Sequence, residues 1–308
     1  MVGNCQCPGL AYAINLLKHE ASVDHFPIQL GSKTPVAAFC RLLHRYDHVF
    51  AHEFPQGYLA GGDSADLGRE LRNLRSVPSI SFSAFHPDLV YAHDQTRGGF
   101  PSESLTGHYH SALAIYAFLG GYSVDESRGF FAGNVFHYLG YLNVWASASE
   151  ALRQEGLKFD LDLNDAATRW SRRGVFMHSL NHPKPFVLLD VAHRLLDRAG
   201  IRTRQEDLAS YMPDTMMEGE GFPIYPEIGA FYGEEGAYVF RDRTYNFHKG
   251  DYTFYDLRGF LAASFQRYRR MRPEQFHCAR VEGWRNDPAI VATLEEMMRC
   301  NVSRAEQG

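Results

Sequence analysis

The sequence predicts an α/β protein in which a parallel sheet is flanked by helices and the second half of the chain is largely helical. Two observations carry this prediction. Residues 1–105 alternate between short apolar extended segments and helical patterns, which is the rhythm of βαβ units. From residue 106 onward helical patterns dominate. The 308 residues are 45% hydrophobic, a proportion typical of a globular protein with a sizeable core.

The first half begins with a short apolar segment, Met1-Val2, and a helix is expected from Cys7-Pro8, because proline suits a first helical turn. The apolar face of that helix has the spacing i, i+3, i+4, i+7, at Leu10, Ala13, Ile14 and Leu17. The elements expected next are an extended piece from Phe26 to Leu30, a helix from Val36 to Arg45, a strand from His48 to Ala51, a helix with Leu67, Leu71 and Leu74 on one face, and a strand from Ile80 to Ser83.

Helix signals mark the second half. Ser123-Val124-Asp125-Glu126 forms a capping box, and another helix begins after Pro185 and stops at Gly200. The stretch from Met216 to Asp251 is rich in Gly, Pro and Tyr, which is typical of long loops or short strands. We predict an N-terminal α/β part (residues 1–105) and a mainly helical part (residues 106–308) that together make one compact unit.

Charge and cysteine content exclude several classes of protein. Lys and Arg number 31 against 36 Asp and Glu, a net charge of −5 that argues against a nucleic-acid partner. No signal-peptide pattern and no apolar run of roughly twenty residues is present, which predicts a cytoplasmic protein without a transmembrane segment. Five cysteines without zinc-ligand spacing indicate reduced thiols, with Cys40, Cys278 and Cys300 as inert fillers.

Gly3-Asn4-Cys5-Gln6 lies between the apolar start and the first helix, where a parallel sheet presents residues at the carboxyl ends of its strands. A thiol just before a helix N-terminus is favoured as thiolate, which makes Cys5 a candidate nucleophile. Gly3 permits a sharp turn, and Asn4 and Gln6 offer amide donors for a developing oxyanion. The alternative is that Cys5 is a small buried residue at a tight turn.

A catalytic cysteine needs a base, and His182 is the first choice because it precedes the helix expected after Pro185. Asn181 or a distant carboxylate would orient its ring. His178 competes for the role. A hydrogen-bonded structural histidine is the alternative for each.

Further candidates follow the strand expected to end at Ser83 and begin the helical half. His86 and Asp88 would orient a catalytic group, bind a ligand or cap the next segment. His108 and His110 would face a cleft, unless they are surface histidines.

Three other patterns predict no site. His44, His48 and His52 recur every four residues, but the helix should end at Tyr46-Asp47, so no metal site is expected. Gly31-Ser32-Lys33-Thr34 lacks the upstream glycine of a phosphate-binding P-loop, although Lys33 remains a candidate phosphate contact. Neither a GxSxG nor a GxGxxG motif is present, which argues against ordinary α/β-hydrolases and dinucleotide binders.

Taken together, these motifs resemble the WcbI-type polysaccharide biosynthesis acetyltransferase family. The resemblance extends from Gly3 to about Phe265, and it rests on the order and separation of Gly3-Asn4-Cys5-Gln6, Phe85-His86-Pro87-Asp88, Tyr109-His110-Ser111, Phe176-Met177-His178 and Asn181-His182-Pro183. The chain is also similar to SGNH-type hydrolases, in which serine takes the place of Cys5, so a flavodoxin-like or SGNH-like sheet is implied. Family members usually carry a full strand before this motif. Here only Met1-Val2 precede it, so we expect a short first strand or a trimmed chain.

The resemblance implies an acetyltransferase of capsular or other surface polysaccharide synthesis, near the membrane-bound capsule machinery. It would use coenzyme A as acetyl carrier and act on a hydroxyl of a deoxyheptose or related sugar. Cys5 either carries the acetyl group or only lines the thiol pocket, while His182 deprotonates the sugar and Asp88 supports catalysis. Coenzyme A needs cationic and polar contacts, for which the candidates are Lys33, His86, His108, His110, Ser111, Arg172, Arg173, His178 and Lys184. A thiol-dependent esterase or deacetylase and a non-catalytic glycan-binding assembly protein are the rival functions. The oligomeric state stays open.

Overall fold

The computed structural model describes residues 1–28, 32–217, 221–242 and 253–307. The chain divides into two units. Unit 1 comprises Met1–Phe82, Ser149–Met177 and Asn181–Glu218, and unit 2 comprises Ser83–Ala148, His178–Leu180 and Gly219–Gly308. Unit 1 therefore takes residues from both of the parts expected from the sequence. The predicted boundary between residues 105 and 106 stays a prediction.

The elements alternate along the chain as the α/β prediction requires. The strands are β1 (Val2–Gly3), β2 (Phe26–Pro27), β3 (Val49–His52), β4 (Leu74–Val77), β5 (Leu89–Val90), β6 (His93–Asp94), β7 (Phe100–Pro101), β8 (His110–Ser111), β9 (Met177–Ser179), β10 (His182–Pro183), β11 (Phe240–Arg241) and β12 (Phe254–Tyr255). The α-helices are α1 (Cys7–Leu17), α2 (Val36–Leu43), α3 (Ser64–Glu70), α4 (Ala112–Leu119), α5 (Val124–Arg128), α6 (Gly133–Tyr138), α7 (Val144–Lys158), α8 (Ala166–Ser171), α9 (Pro185–Arg198), α10 (Pro226–Tyr232), α11 (Leu257–Tyr268), α12 (Ala279–Arg285) and α13 (Pro288–Gln307). Short 3₁₀ turns lie at Gln95–Arg97, Tyr141–Asn143, Ala209–Tyr211 and Pro273–Gln275.

Unit 1 is built on a four-stranded sheet with the order β2-β1-β3-β4. All three strand pairs are parallel, with Val2 opposite Phe26 on one side and Ala51 on the other. The chain leaves β1 for β2 on one side and then crosses to β3 on the other. The strand order therefore reverses between β1 and β3, and the carboxyl ends of these strands form a topological switch point. The predicted parallel sheet flanked by helices is confirmed.

Helices α2 and α3 bury apolar side chains against the sheet. Residues from both helices join those of the strands in one cluster of buried side chains: Val2, Phe39, Cys40, Leu43, Val49, Ala51, Phe54, Leu59, Leu67 and Leu71. Burying such side chains contributes about 1.5 to 3 kcal/mol each, before the cost in chain entropy. The sheet is thus anchored by its own crossover helices.

Helices α1 and α9 pack against each other at their first turns. A Cβ atom added to Gly9 would lie 2.5 Å from Cδ1 of Leu188, closer than real contacts allow. Gly9 is in the first turn of α1 and Leu188 in the first turn of α9. The glycine therefore brings two helix N-termini together, and each presents free backbone N–H groups and the positive end of its dipole.

The fourth strand lies six residues earlier than expected. Leu71 and Leu74 have helical spacing, but α3 ends at Glu70 and Leu74 begins β4, so the predicted helix is too long. The predicted strand from Ile80 to Ser83 is wrong. Pro78 follows β4, and both backbone polar groups of Ile80 are bound by the side chain of Gln6. A side chain thus takes the place of a neighbouring strand.

The helical character of the second half is confirmed. The capping box forms between Ser123 and Glu126. Helix α9 ends at Arg198, and Gly200 follows in the left-handed region at φ 71°. The stretch expected to lack helices contains α10. Parts of that stretch, residues 218–220 and 243–251, lie outside the described residues, as do Gln29, Leu30 and Gly31.

Candidate active site

Cys5 lies in the loop between β1 and α1 and is exposed. This loop extends from the carboxyl end of β1, beside the point where the strand order reverses. Open α/β sheets bind ligands at this position. The alternative that Cys5 is a small buried residue is therefore wrong. Two residues further on, burial raises the pKa of the Cys7 thiol to about 11, so the adjacent cysteine is held as an unreactive thiol.

Gly3 is required by the strand beside it. Its φ is 149°, and a Cβ atom there would lie 2.1 Å from Nδ1 of His52 in β3. His52 is 1% exposed, and burial lowers the pKa of its imidazole to about 4, although backbone groups of Val2 and Pro78 partly oppose this shift. A neutral, buried imidazole therefore lies against Gly3, at the start of the loop that carries Cys5.

Asn4 shapes the turn that presents Cys5. Its Oδ1 accepts a hydrogen bond from the Gln6 backbone N–H at 3.0 Å, and its backbone carbonyl accepts from the Cys7 N–H at 3.0 Å. The Asn4 amide donates to Oγ of Ser79 at 2.7 Å. The loop is therefore fixed on both sides of Cys5 before any ligand binds.

Gln6 joins three segments of unit 1. Its Nε2 donates to the carbonyls of Ile80 at 2.7 Å and Asn181 at 2.9 Å, and its Oε1 accepts from the Ile80 N–H at 3.0 Å. Both amide hydrogens are thus used inside the protein, and the side chain is 1% exposed. This arrangement gives Gln6 a structural role instead of the predicted donation to an oxyanion.

The Gln6–Asn181 bond places the His182 segment beside the cysteine loop. Cys5 directly precedes Gln6, and His182 directly follows Asn181. His182 is 6% exposed in β10, three residues before Pro185, the first residue of α9. Asn181 contributes its backbone carbonyl to this bridge. The structure thus brings together Gly3, Asn4, Cys5, Gln6, Asn181 and His182 in unit 1.

Cationic side chains lie at the start of α9. Lys184 is the N-cap residue, and its backbone N–H donates to the carbonyl of Phe176. The Arg173 guanidinium stacks over the Phe186 ring at 4.6 Å and pairs with Asp207 at 3.1 Å. Arg172 is exposed at the end of α8. Lys33 is also exposed and lies between β2 and α2 in unit 1.

Asp88 belongs to unit 2 and serves as a buried hydrogen-bond acceptor. It is 1% exposed and accepts from the Ser111 hydroxyl, the Leu113 N–H, and the Tyr141 and Tyr225 hydroxyls. Burial raises the pKa of its carboxyl, while these hydrogen bonds oppose the shift. The side-chain oxygens of Asp88 already accept from four donors of its own unit, and its predicted catalytic role stays a prediction.

The other unit 2 candidates have internal contacts as well. His86 Nε2 lies 2.9 Å from the carbonyl of Phe222. His110 is bound between Ser102 and Tyr268. Ser111 caps α4, and the carbonyl of His178 accepts from the Phe222 N–H. His108 is half-buried. Their proposed contacts with coenzyme A stay predictions.

Ser79 and Glu155 are site residues that the sequence interpretation missed. Oγ of Ser79 accepts from Asn4, and the Ser79 N–H donates to Glu155 at 3.2 Å. The residues after a buried strand are the usual place to look for ligand contacts. Because the fourth strand was predicted at Ile80 to Ser83, Ser79 stood before that strand and not after it.

Fold and site together define a doubly wound α/β protein with an exposed cysteine at the ligand-binding edge of its sheet. The sequence model of a family described as "Polysaccharide biosynthesis enzyme WcbI" matches residues 1–204. The chain therefore belongs to the WcbI family of polysaccharide biosynthesis enzymes, which confirms the predicted family. The resemblance to SGNH-type hydrolases stays a prediction.

A solved structure shares this fold. It is described as WcbI, a novel polysaccharide biosynthesis enzyme, in native form without a disulfide bond between coenzyme A and one of its cysteines. The two chains are 15% identical, with a TM-score of 0.61 over 99% of this chain and 97% of that chain. None of the curated proteins matches this chain.

The described residues show neither a membrane-spanning helix nor a metal-binding cluster. No helix there combines the length and apolarity that crossing a bilayer demands. No group of three or more His, Cys, Asp or Glu side chains in the same residues is placed to hold a metal ion. The predictions of a cytoplasmic location and of no metal site stay predictions.

Proposed function

We propose that this chain is a coenzyme A-dependent O-acetyltransferase that acetylates a sugar of a surface polysaccharide precursor, with Cys5 as nucleophile and His182 as base. One observation carries the proposal. Gln6 holds the segment of His182 against the loop of Cys5 at the switch point of the sheet. A thiol and an imidazole on adjoining segments are the two groups that nucleophilic acyl transfer requires.

The start of α1 favours the Cys5 thiolate. Cys5 precedes Gln6, the N-cap residue of α1, so the positive end of that helix lies beside the sulfur. The N-terminus of α9 lies close by through the contact between Gly9 and Leu188. Exposure keeps the charged sulfur solvated, in contrast to buried Cys7, whose pKa is raised to about 11. Cys5 is therefore the thiol most suited to attack a carbonyl group.

The residues at the start of α9 fit coenzyme A. Its pyrophosphate and 3′-phosphate call for cationic and N–H donors, and its adenine calls for a flat surface. Lys184, Arg172, Arg173 and Lys33 would supply the charges, and Phe186 lies beneath Arg173. Coenzyme A, when bound, supplies an acetyl group activated as a thioester.

The Cys5 thiolate adds to the acetyl carbonyl, the bond between the acetyl carbon and the coenzyme A sulfur breaks, and coenzyme A would leave as its thiolate while Cys5 keeps the acetyl group. One thioester replaces another, so this step is close to isoenergetic. His182 then takes the proton of the sugar hydroxyl, whose oxygen forms the ester as the bond to Cys5 breaks and the thiolate returns. The acetyl ester on the sugar is the product.

The test uses Cys300→Ser as background, because Cys300 is the other exposed cysteine. Incubation with acetyl-CoA is expected to add one acetyl group, mapped to Cys5 by peptide mass spectrometry. Cys5→Ser should abolish this adduct and reduce turnover by roughly a thousandfold. His182→Ala should keep the adduct and slow its transfer to a deoxyheptose acceptor.

Three results would contradict the proposal. Failure of wild-type protein to bind acetyl-CoA in a calorimetric titration would leave the glycan-binding function in its place. Loss of the acetyl group to water at the same rate with and without the sugar would indicate the esterase. Full turnover by Cys5→Ser would exclude the acyl-enzyme and leave Cys5 as a residue that only lines the pocket.

A further inference from the structure

The proposed reaction needs a hydrogen-bond donor for the oxyanion that forms on the acetyl carbonyl, and the amide first expected to supply it is in use. Gln6 donates both amide hydrogens to backbone carbonyls inside unit 1. The Asn4 side chain donates one amide hydrogen to Ser79, and its oxygen accepts from the Gln6 N–H. The groups that these two amides hold in place include a further donor, the hydroxyl of Ser79.

Ser79 meets the requirements for that donor. It lies two residues beyond β4, at the carboxyl edge of the sheet, and its side chain is half-buried, so it still reaches solvent. Its oxygen accepts from Asn4, the residue next to Cys5, at 2.7 Å. A hydroxyl has one hydrogen to donate, and within the described residues the Ser79 hydroxyl donates to no acceptor.

We infer that the Ser79 hydroxyl donates a hydrogen bond to the oxyanion formed when the Cys5 thiolate adds to an acyl carbonyl. This inference rests on the proposed function. As the carbon–sulfur bond forms, the electron pair of the C=O double bond moves onto oxygen. Ser79 binds that oxygen without transferring its proton, and the pair returns when the leaving group departs.

Asn4 and Glu155 act as positioning residues for Ser79. The Asn4 amide fixes the oxygen of Ser79, which turns the remaining hydrogen away from Asn4. The half-buried Glu155 carboxylate accepts from the Ser79 N–H and fixes the backbone. A donor held this way needs no reorganisation as charge develops.

The test separates attack on a carbonyl from reaction at a saturated carbon. In the Cys300→Ser background, Cys5 reacts with p-nitrophenyl acetate through an oxyanion and with iodoacetamide without one. Release of p-nitrophenolate and the mass of the alkylated peptide report the two rates. Ser79→Ala should slow acetylation at least tenfold, toward the roughly hundredfold loss typical of one missing oxyanion donor. It should leave alkylation within about twofold.

Matched variants complete the test. Ser79→Thr keeps the hydroxyl and should retain acetylation within about fivefold. Ser76→Ala, within β4 and three residues before Ser79, should change neither rate. Glu155→Ala should slow acetylation less than Ser79→Ala does, and Glu155→Gln, which keeps an acceptor oxygen, should restore the rate.

Unchanged acetylation in Ser79→Ala would overturn the inference, and so would an equal loss of both reactions, which would mean that Ser79 merely holds the loop. Neither reagent contains coenzyme A or a sugar. A failure of the proposed function therefore appears with acetyl-CoA and the sugar acceptor, while a failure of this inference appears in the ratio of the two Cys5 rates.

Discussion

The Cys5 loop of unit 1 and the Asp88 cluster of unit 2 were both predicted from polar motifs that follow an expected strand, but Cys5 is exposed and Asp88 is buried. The Asp88 cluster is defined as Asp88 with its donors Ser111, Leu113, Tyr141 and Tyr225. Cys5 is exposed, and the polar side chains around it are held by one another. Asp88 is 1% exposed, and its own oxygens receive the hydrogen bonds.

This difference separates the proposed nucleophile from a buried structural group. Cys5 is exposed, and the side chains of Asn4 and Gln6 beside it are held by hydrogen bonds within unit 1. At a structural group the ionisable atoms are themselves the acceptors on which several elements depend. The Asp88 side chain ties α4, the turn at Tyr141 and the start of α10 together inside unit 2.

Removing the Asp88 carboxylate is expected to have the largest effect on stability. Asp88→Ala leaves four buried donors without an acceptor, and each costs about 1 kcal/mol or more, so the free energy of unfolding should fall by about 4 kcal/mol. Urea denaturation followed by circular dichroism measures the loss. Asp125→Ala, which removes an exposed carboxylate of the same unit, should leave the midpoint unchanged.

The Cys5 loop should respond in the opposite way. Cys5→Ser replaces an exposed sulfur by oxygen. It should therefore leave the urea midpoint unchanged, both in the wild-type protein and in the Asp88→Ala variant. If Asp88→Ala were as stable as wild type but inactive, the contrast between the two regions would fail, and Asp88 would return as a catalytic carboxylate.

Local patterns predicted most of the fold. The apolar spacing from Leu10 to Leu17 identified α1, and Ser123 with Glu126 identified the start of α5, because both signals involve neighbours along the chain. The fourth strand was misplaced because Leu71 and Leu74 have helical spacing across a turn. Ile80 is buried, but its backbone bonds to the side chain of Gln6, which periodicity does not detect.

The site was predicted in part, for a related reason. Cys5 and His182 stand just before helices, a position that the sequence displays directly. The role of Gln6 depends on Ile80 and Asn181, which lie 74 and 175 residues away along the chain. Saturation of Asp88 likewise depends on Tyr141 and Tyr225, at separations of 53 and 137 residues. A single sequence does not show such partners.

His52, which lies against Gly3 of the Cys5 loop, is a second buried titratable group to compare with Asp88. Asp88 accepts hydrogen bonds from four donors, whereas His52 is held in its neutral form by burial. Burial lowers the pKa of His52 from 6.5 to about 4. Below pH 6.5, His52 therefore binds a proton in the unfolded chain, whereas in the folded chain it binds one only when the pH falls to about 4. Stability conferred by the neutral ring is complete above pH 6.5 and is lost as pH falls through this window.

The expected loss is about 1.4 kcal/mol per pH unit inside the window, or roughly 3 to 3.5 kcal/mol over the whole window. Urea unfolding measured from pH 7.5 down to about pH 4.5 should show a steeper decline for wild type than for His52→Leu. His19→Leu removes an exposed imidazole and should keep the wild-type slope. Equal slopes for wild type and His52→Leu would show that His52 does not contribute this dependence.

The smallest expected effect concerns the charge of Arg173 near the start of α9. Arg173 stacks on Phe186 and pairs with Asp207, and both charged side chains are exposed, so a phosphate competes with Asp207 for the guanidinium. Arg173→Ala should raise the Kd for coenzyme A by about fivefold, and Asp207→Asn should lower it by about twofold. Isothermal titration calorimetry measures both changes.

Comparing coenzyme A with 3′-dephospho-coenzyme A locates the contact. If Arg173 binds the 3′-phosphate, Arg173→Ala weakens coenzyme A alone and the two ligands then bind equally, whereas a contact with the pyrophosphate weakens both by the same factor. Arg258→Ala is the matched control, because Arg258 is also an exposed arginine paired with an aspartate, but in unit 2. Equal losses for Arg173→Ala and Arg258→Ala would mean that binding reflects net charge, and the start of α9 would lose its place in the coenzyme A site.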